Sequence, residues 1–255
     1  MTTRPAELVH VEVADQVATL TLDSPANRNA LSSALTAQLL AGLETANRDD
    51  AARVVLLRSA GPVFCSGADL REAVDDGMGE VARAMVAVQR AIVALPKPVV
   101  VRLDGPVRAG GIGLVGAADV VVSADTVSFA FTEVRLGLAA ATISLTCLPR
   151  MRGRAAALRF LGGETFDAAE AERTGLITSS VPAEDVDRVV GEVLDALRQG
   201  TPQGLRETKQ VVTADLLAHI DAHGEEMATL SARLFASAES RAAMQAFLDR
   251  GSDRR

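Results

Sequence analysis

Residues 108 to 119 read RAGGIGLVGAAD, and they stand between two strand-like runs, "VVVRL" and "DVVV". Four glycines in so short a run force backbone layers together or leave main-chain N–H groups open to a ligand. Gly111, Gly113 and Gly116 also spell a literal G-x-G-x-x-G. In a dinucleotide site the first glycine closes a strand, and a helix then leads back to the next strand. Here "VVVRL" ends at Leu103, eight residues before Gly111, and "DVVV" begins at Asp119, three residues after Gly116. A parallel crossover needs roughly a dozen residues or more, so the pattern is not read as a nucleotide fingerprint. Two readings remain: packing of a helix against a strand, or a short helix starting near Gly110 whose unpaired N–H groups hold a developing negative oxygen.

The rest of the composition fits tight backbone packing. Aromatic residues make up 3% of the chain, with no Trp and no Tyr, while 48% is hydrophobic. The core must therefore be built from Ala, Val and Leu, and 255 residues suffice for it. A net charge of −7 without a basic patch argues against a nucleic-acid partner. The longest apolar-looking run, 109–122, is interrupted by Asp119 and by glycine, so no membrane span is expected. The opening "MTTRPAELVH" lacks the apolar centre of a signal peptide, and Cys65 and Cys147 are the two cysteines. A reduced, cytoplasmic protein is the expectation.

Along the chain, "LVHVEVADQVATLTLDSP" predicts a hairpin turning at Asp15-Gln16. Leu35, Leu39 and Leu43 predict a helix, "ARVVLLRSAG" a buried strand, and 78–95 a helix stopped by "PKP". "PVVVRLDG", "ADVVVSAD" and "VSFAF" predict further strands. From Ala139 the pattern is mostly helical, with Asp167 as an N-cap, Glu170 as its capping-box partner and Gly175 as the stop. Amphipathic helices are predicted over 186–197, 204–217 and 220–248. The chain thus reads as an α/β core over 1–195 and a helical region over 196–255. His219 and His223 are four apart, but no third ligand is evident, so no metal site is predicted. Cys65 has no histidine nearby in sequence and reads as packing.

A second loop, "FCSGADL" (64–70), also follows a strand and offers N–H groups after a glycine. Together with "RNALSSAL", "PKPVVVRLDGPVRAGGIGLVGAADVVVSAD", "VSFAFTEVRLGL" and "TFDAAEAERTGLIT", in that order, it resembles the crotonase family, the enoyl-CoA hydratase/isomerase superfamily. The likeness runs over nearly the whole chain. It implies a spiral of ββα units with a C-terminal helical region that builds a homotrimer, or a hexamer as a dimer of trimers. It implies an acyl-CoA thioester substrate, with no cofactor beyond the coenzyme A that the substrate carries.

The resemblance also implies roles. The N–H groups of Ala68 and Gly110 would hold the thioester oxygen as it becomes an enolate. Arg28, Leu70 and Arg71 would line the CoA, as would Phe247 and Arg250 from the C-terminal helix. Arg108, beside the glycine run, receives no role. Of the two glutamates of a typical hydratase, one matches Glu133, and the other falls at Gly113, where the family motif usually carries an acid. The expectation is a hydratase-type enzyme with Glu133 as acid/base. The alternatives are a Δ3,Δ2-enoyl-CoA isomerase using Glu133 alone and a non-catalytic acyl-CoA carrier. A hydratase without the first glutamate would need another water holder, for which Asp69, Glu72, Asp75 and Asp76 are candidates by sequence.

Overall fold

The computed structural model describes residues 6–72 and 77–252, with side chains up to 246. The N-terminal hairpin pairs β1 (Val9–Ala14) with β2 (Val17–Leu22). Asp15 and Gln16 both take positive φ at its tip, as a two-residue hairpin turn of the right twist requires. α1 (Ser33–Arg48) is capped by the Ser32 side chain and buries Leu35, Leu39 and Leu43. β3 (Val54–Ser59) lies parallel to β2. A single turn, α2 (Leu70–Glu72), follows the "FCSGAD" loop, and α3 (Met78–Ala94) runs up to the Pro-bounded stop.

The next part alternates between two sheets. β4 (Val99–Leu103) joins the large sheet, and β5 (Val107–Arg108) joins a small one before α4 (Gly110–Ala117). β6 (Val120–Ala124) returns to the large sheet, and β7 (Ser128–Ala130) to the small one. A 3-10 turn, Glu133–Leu136, then leads to α5 (Ala141–Arg150) and α6 (Gly153–Gly162). β8 (Phe166–Asp167), α7 (Ala168–Thr174) and β9 (Ser179–Val181) make the last partial repeat. The six-stranded sheet has the order β1-β2-β3-β4-β6-β9, and the small sheet the order β5-β7-β8. The β4–β5–α4 and β6–β7–α5 units each give one strand to each sheet and then a helix, which is the ββα repeat of the spiral; after β3, among the described residues, the small sheet is reached only by the Cys65–Val107 bridge.

Three readings of the sequence are corrected here. β5 is a two-residue strand that ends directly before the glycine run, too short to show as a pattern. β8 and β9 lie in the stretch read as helical. After α8 (Val186–Arg198), the two helices predicted over 204–217 and 220–248 are a single 34-residue helix, α9 (Pro202–Phe235), followed by α10 (Ala238–Ser252). The break falls at Ala236-Ser237, because nothing near Leu217 interrupts the backbone bonds. Asp167 does cap α7 by accepting the Glu170 N–H at 2.8 Å. Glu170 turns instead to Arg159 and Arg173, so the reciprocal half of the box is not made.

The helical region is tied to the core. α9 lies along α3, close enough at Gly224 that a Cβ there would stand 2.9 Å from Val86 Cγ1. Arg83–Glu225 and Arg90–Asp221 pair across the same seam. α10 folds back onto the 3-10 turn: a Cβ on Gly137 would be 3.2 Å from the Ser240 backbone. No described helix is long and apolar enough to cross a membrane.

Candidate active site

α4 is buried on every side, from Gly110 to Ala117. A Cβ on Gly111 would meet Cys65 Cβ at 2.7 Å, and one on Gly116 would meet Thr146 Oγ1 at 2.9 Å. One on Gly113 would meet Gln89 Cδ and Ile143 Cγ2, both at 2.9 Å. These glycines are there so that α4 can press against the 65-loop, α3 and α5. They lie within the helix, with protein filling their faces, and leave no room for a pyrophosphate.

Gly110 is different. It opens the helix, where N–H groups have no intrahelical acceptor. A Cβ at this position would stand 3.3 Å from Ala68 N, 3.4 Å from Leu31 Cδ1 and 2.5 Å from Met85 Cε. The Ala68 and Gly110 amides are therefore neighbours beneath an apolar wall. Among the described residues neither N–H has a protein acceptor. The preceding Ala109 has φ 45° and ψ −124°, a conformation costly for a residue with a side chain. It is held there by Ala109 N donating to Ala130 O at 3.1 Å, and by its Cβ lying against Gly67.

The loop carrying Ala68 is laced to the "RNAL" loop. Leu31 N donates to Gly67 O at 2.8 Å and Ser66 N to Arg28 O at 3.1 Å. Ser66 Oγ donates to Asn27 O, and Asn27 Nδ2 to Asp69 Oδ2. Asn29 is 1% exposed, accepts the Ser24 N–H at 2.6 Å and donates to Ala60 O and Val63 O. The sequence reading took only Arg28 from this loop. The asparagines were missed, although an Asn flanked by turn residues is the usual signal for such a brace. Arg28 accepts the Ser66 N–H through its main-chain oxygen, and Leu70 and Arg71 follow Ala68 into α2; the two arginines are exposed and Leu70 is half-buried. Phe247 and Arg250 lie on the α10 backbone, but their side chains fall outside the described residues, as do Asp75 and Asp76.

Glu133 opens the 3-10 turn three residues beyond Ala130, the acceptor of the Ala109 N–H. The residue keeps some exposure, yet its Oε2 is fully buried with no hydrogen-bond partner. Burial pushes its carboxyl up to about 7. On the far side, Cys147 Sγ donates to Ile112 O at 3.5 Å, and the Cys147 thiol is pushed up to about 12 by burial first, with the Glu133 charge adding to it. Gly110 and Glu133 are thus both anchored within three residues of one main-chain bond, Ala109 to Ala130.

The other candidates have structural duties. Asp69 accepts from Asn27 and from Arg71 N, and Glu72 accepts from Ser33 N and Oγ at the start of α1. Arg108 donates to Val107 O, Ser128 O and Ser128 Oγ, joining β5 to β7. Burial pushes the Cys65 thiol up to about 12, so it is no ready nucleophile. His219 and His223 touch each other on α9, and no group of three metal-ligating residues is found among the described residues. A groove of about 720 Å³ between β7, α6 and α7 is lined by Arg159, Phe166, Glu170 and Arg173, and not by Ala68, Gly110 or Glu133.

Residues 12–254 match the family model for enoyl-CoA hydratase/isomerase. The chain belongs to the enoyl-CoA hydratase/isomerase family. The crystal structure of an enoyl-CoA hydratase from Mycobacterium avium superposes with a TM-score of 0.91 at 47% identity, over 96% of this chain and 97% of that one. The chain is also 31% identical over 215 residues to the 1,2-epoxyphenylacetyl-CoA isomerase of Escherichia coli, covering 81% of each. It is 32% identical over 208 residues to an enoyl-CoA isomerase/hydratase of Mycosarcoma maydis, covering 76% of each. As a member of this family, the chain has the crotonase fold and the family's enzymatic class, with relatives on both sides of the hydration–isomerisation divide.

Proposed function

We propose that this protein isomerises an unsaturated acyl-CoA thioester by one-carboxylate proton transfer, with Glu133 as the only acid/base. One observation carries this over the hydratase expectation: at Gly113 there is no acid and no space for one, since Gln89 and Ile143 stand 2.9 Å from the missing Cβ. Supporting it, the Glu133 carboxyl lies near neutrality, where a group can both take and return a proton.

The thioester oxygen accepts hydrogen bonds from Ala68 and Gly110 N–H. Glu133 removes a proton from C2 of a 3-enoyl thioester, and charge moves onto that oxygen. Donors fixed in place before the reaction stabilise such charge by several kcal/mol. The protonated Glu133 then delivers the proton to C4, leaving the double bond between C2 and C3. Atoms balance, and no cofactor is called for beyond the CoA of the substrate. Arg28 and Arg71 suit the CoA phosphates, being permanently charged and forked. Leu70 lines the same loop, and Phe247 and Arg250 are assigned to the CoA from α10.

Hydration is the second reading, favoured by the likeness to the M. avium enoyl-CoA hydratase. A non-catalytic carrier is disfavoured by the elevated Glu133 carboxyl, whose Oε2 is buried without a partner, and by the two free donors at Ala68 and Gly110. A homotrimer, or a hexamer built from two, is supported by exposed Leu158, Leu161, Val211 and Val212. The test is turnover by the wild type of a matched pair of esters, one 3-enoyl and one 2-enoyl. Isomerisation of the first without hydration of the second is expected. Rapid hydration reverses the assignment, and turnover of neither returns the chain to the carrier reading.

A further inference from the structure

Gln89 is a polar side chain in a core of aliphatics. It sits on α3 at 1% exposure. Its Nε2 donates to Met85 O at 3.2 Å, and its Oε1 accepts from Thr146 Oγ1 at 2.8 Å. The Thr146 hydroxyl, itself fully buried, lies 3.1 Å from Gly113 O. A leucine would fill this volume without the cost of burying an amide. The amide ends against Gly113, with Cδ at 2.9 Å and Oε1 at 3.0 Å from where a Cβ would be. One turn earlier on the same helix, Met85 reaches the Gly110 position that borders Ala68 N. α3 therefore lays Met85 over the donor pair and Gln89 over the vacant acid position.

We propose that Gln89 is the specificity-determining residue of this site: it fills the place of a second carboxylate with a group of the same shape that cannot ionise, and so keeps water from the bound acyl chain. Hydration adds water's hydroxyl to C3 and its proton to C2, and needs a group that holds and polarises that water. An amide bonded to Thr146 and Met85 offers no base. With water shut out, the proton taken from C2 by Glu133 returns to C4 of the same molecule. Gln89 acts without touching the transferred proton, so it is not a catalytic residue. The proposal rests on the one-carboxylate reading above and goes beyond it by naming what excludes the competing reaction.

The experiment has two arms on the intact protein. In the first, wild type isomerises a 3-enoyl-CoA in D2O, and deuterium at C4 of the product is read by mass spectrometry. Most product is expected to keep the substrate's own hydrogen, and full deuterium incorporation overturns the proposal. In the second arm, Gln89→Glu supplies a carboxylate of the same shape. Hydration of the 2-enoyl ester is expected to rise roughly 10-fold or more, against the 10²–10⁴ that a well-placed acid–base group contributes. If that variant does not fold, Gly113→Glu with Gln89→Ala moves the carboxylate across the same space. A folded variant of either kind that isomerises as before but gains no hydration overturns the proposal. Should neither fold, the isotope result on the wild type decides. A wild type that fails to isomerise at all refutes the one-carboxylate reading instead, and the two failures are told apart.

Discussion

Gln89 and Gly113 share one volume, with the amide carbon of the first 2.9 Å from the position of a Cβ on the second. The helix backbone at Gly113 is ordinary, so the glycine is required by its neighbours rather than by its own dihedral angles. Gly113→Ala should therefore cost stability through overpacking, by roughly 1–3 kcal/mol. Gln89→Ser in the same chain should recover part of that loss. Urea unfolding of the three variants checks this, and full additivity of the two changes would mean that the residues do not compete for space.

Asn29 braces the loop opposite Ala68 with bonds to Ser24 N, Ala60 O and Val63 O. Asn29→Ala leaves one buried main-chain N–H and two part-buried carbonyls without that partner. Unfolding free energy should fall by about 2–3 kcal/mol, from the 1–3 kcal/mol typical of an orphaned buried polar group. Turnover should fall as well, since Ala68 N loses its fixed aim. A variant as stable as the wild type would show that water replaces the side chain.

How much of this was legible beforehand follows from what each signal depends on. The hairpin, α1, β3, α3 and β4 were readable because a buried stripe or run imposes a period. β5, β8 and β9 were not, because two or three residues carry no period and owe their pairing to neighbours distant in sequence. The length of α9 was missed for the opposite reason: His219 and Gly224 dilute an amphipathic pattern without breaking the backbone. At the site, Ala68, Gly110 and Glu133 came from motif resemblance. The role of Gln89 could not, because its contact with Gly113 joins residues 24 positions apart on two helices, and no spacing rule links them.

Ala109 holds φ 45° directly before the first donor. Strain of this kind costs roughly 1–3 kcal/mol, and a glycine gives back part of that in unfolded-chain entropy. Ala109→Gly should raise stability by about 1 kcal/mol, read as a higher urea midpoint at unchanged slope. Destabilisation would mean that the contact of its Cβ with Gly67 outweighs the strain.

Burial lifts the Glu133 carboxyl from 4.5 to about 7, so the folded protein keeps a proton that the unfolded chain releases. Between those values the folded state binds more protons, and its stability falls as pH rises. Below the window the group is neutral in both states and costs nothing; above it the full penalty, on the order of 3 kcal/mol, is present. Glu133→Gln should thus gain on the wild type from pH 4.5 to pH 8 in unfolding experiments. The base form is the ionised one, so kcat/KM of the wild type should rise with pH through about 7. A flat stability difference would mean that Glu133 is solvated in solution.

The most direct measurement is turnover of a 3-enoyl-CoA by Glu133→Gln, alongside its affinity for the same ester. The amide keeps the size of the side chain and leaves both main-chain donors in place, but it can neither accept nor return the C2 proton. Turnover is expected to fall by roughly 10²–10⁴-fold, the usual contribution of a general acid–base group, with little change in Kd. Undiminished turnover would contradict Glu133 as the group that moves the proton.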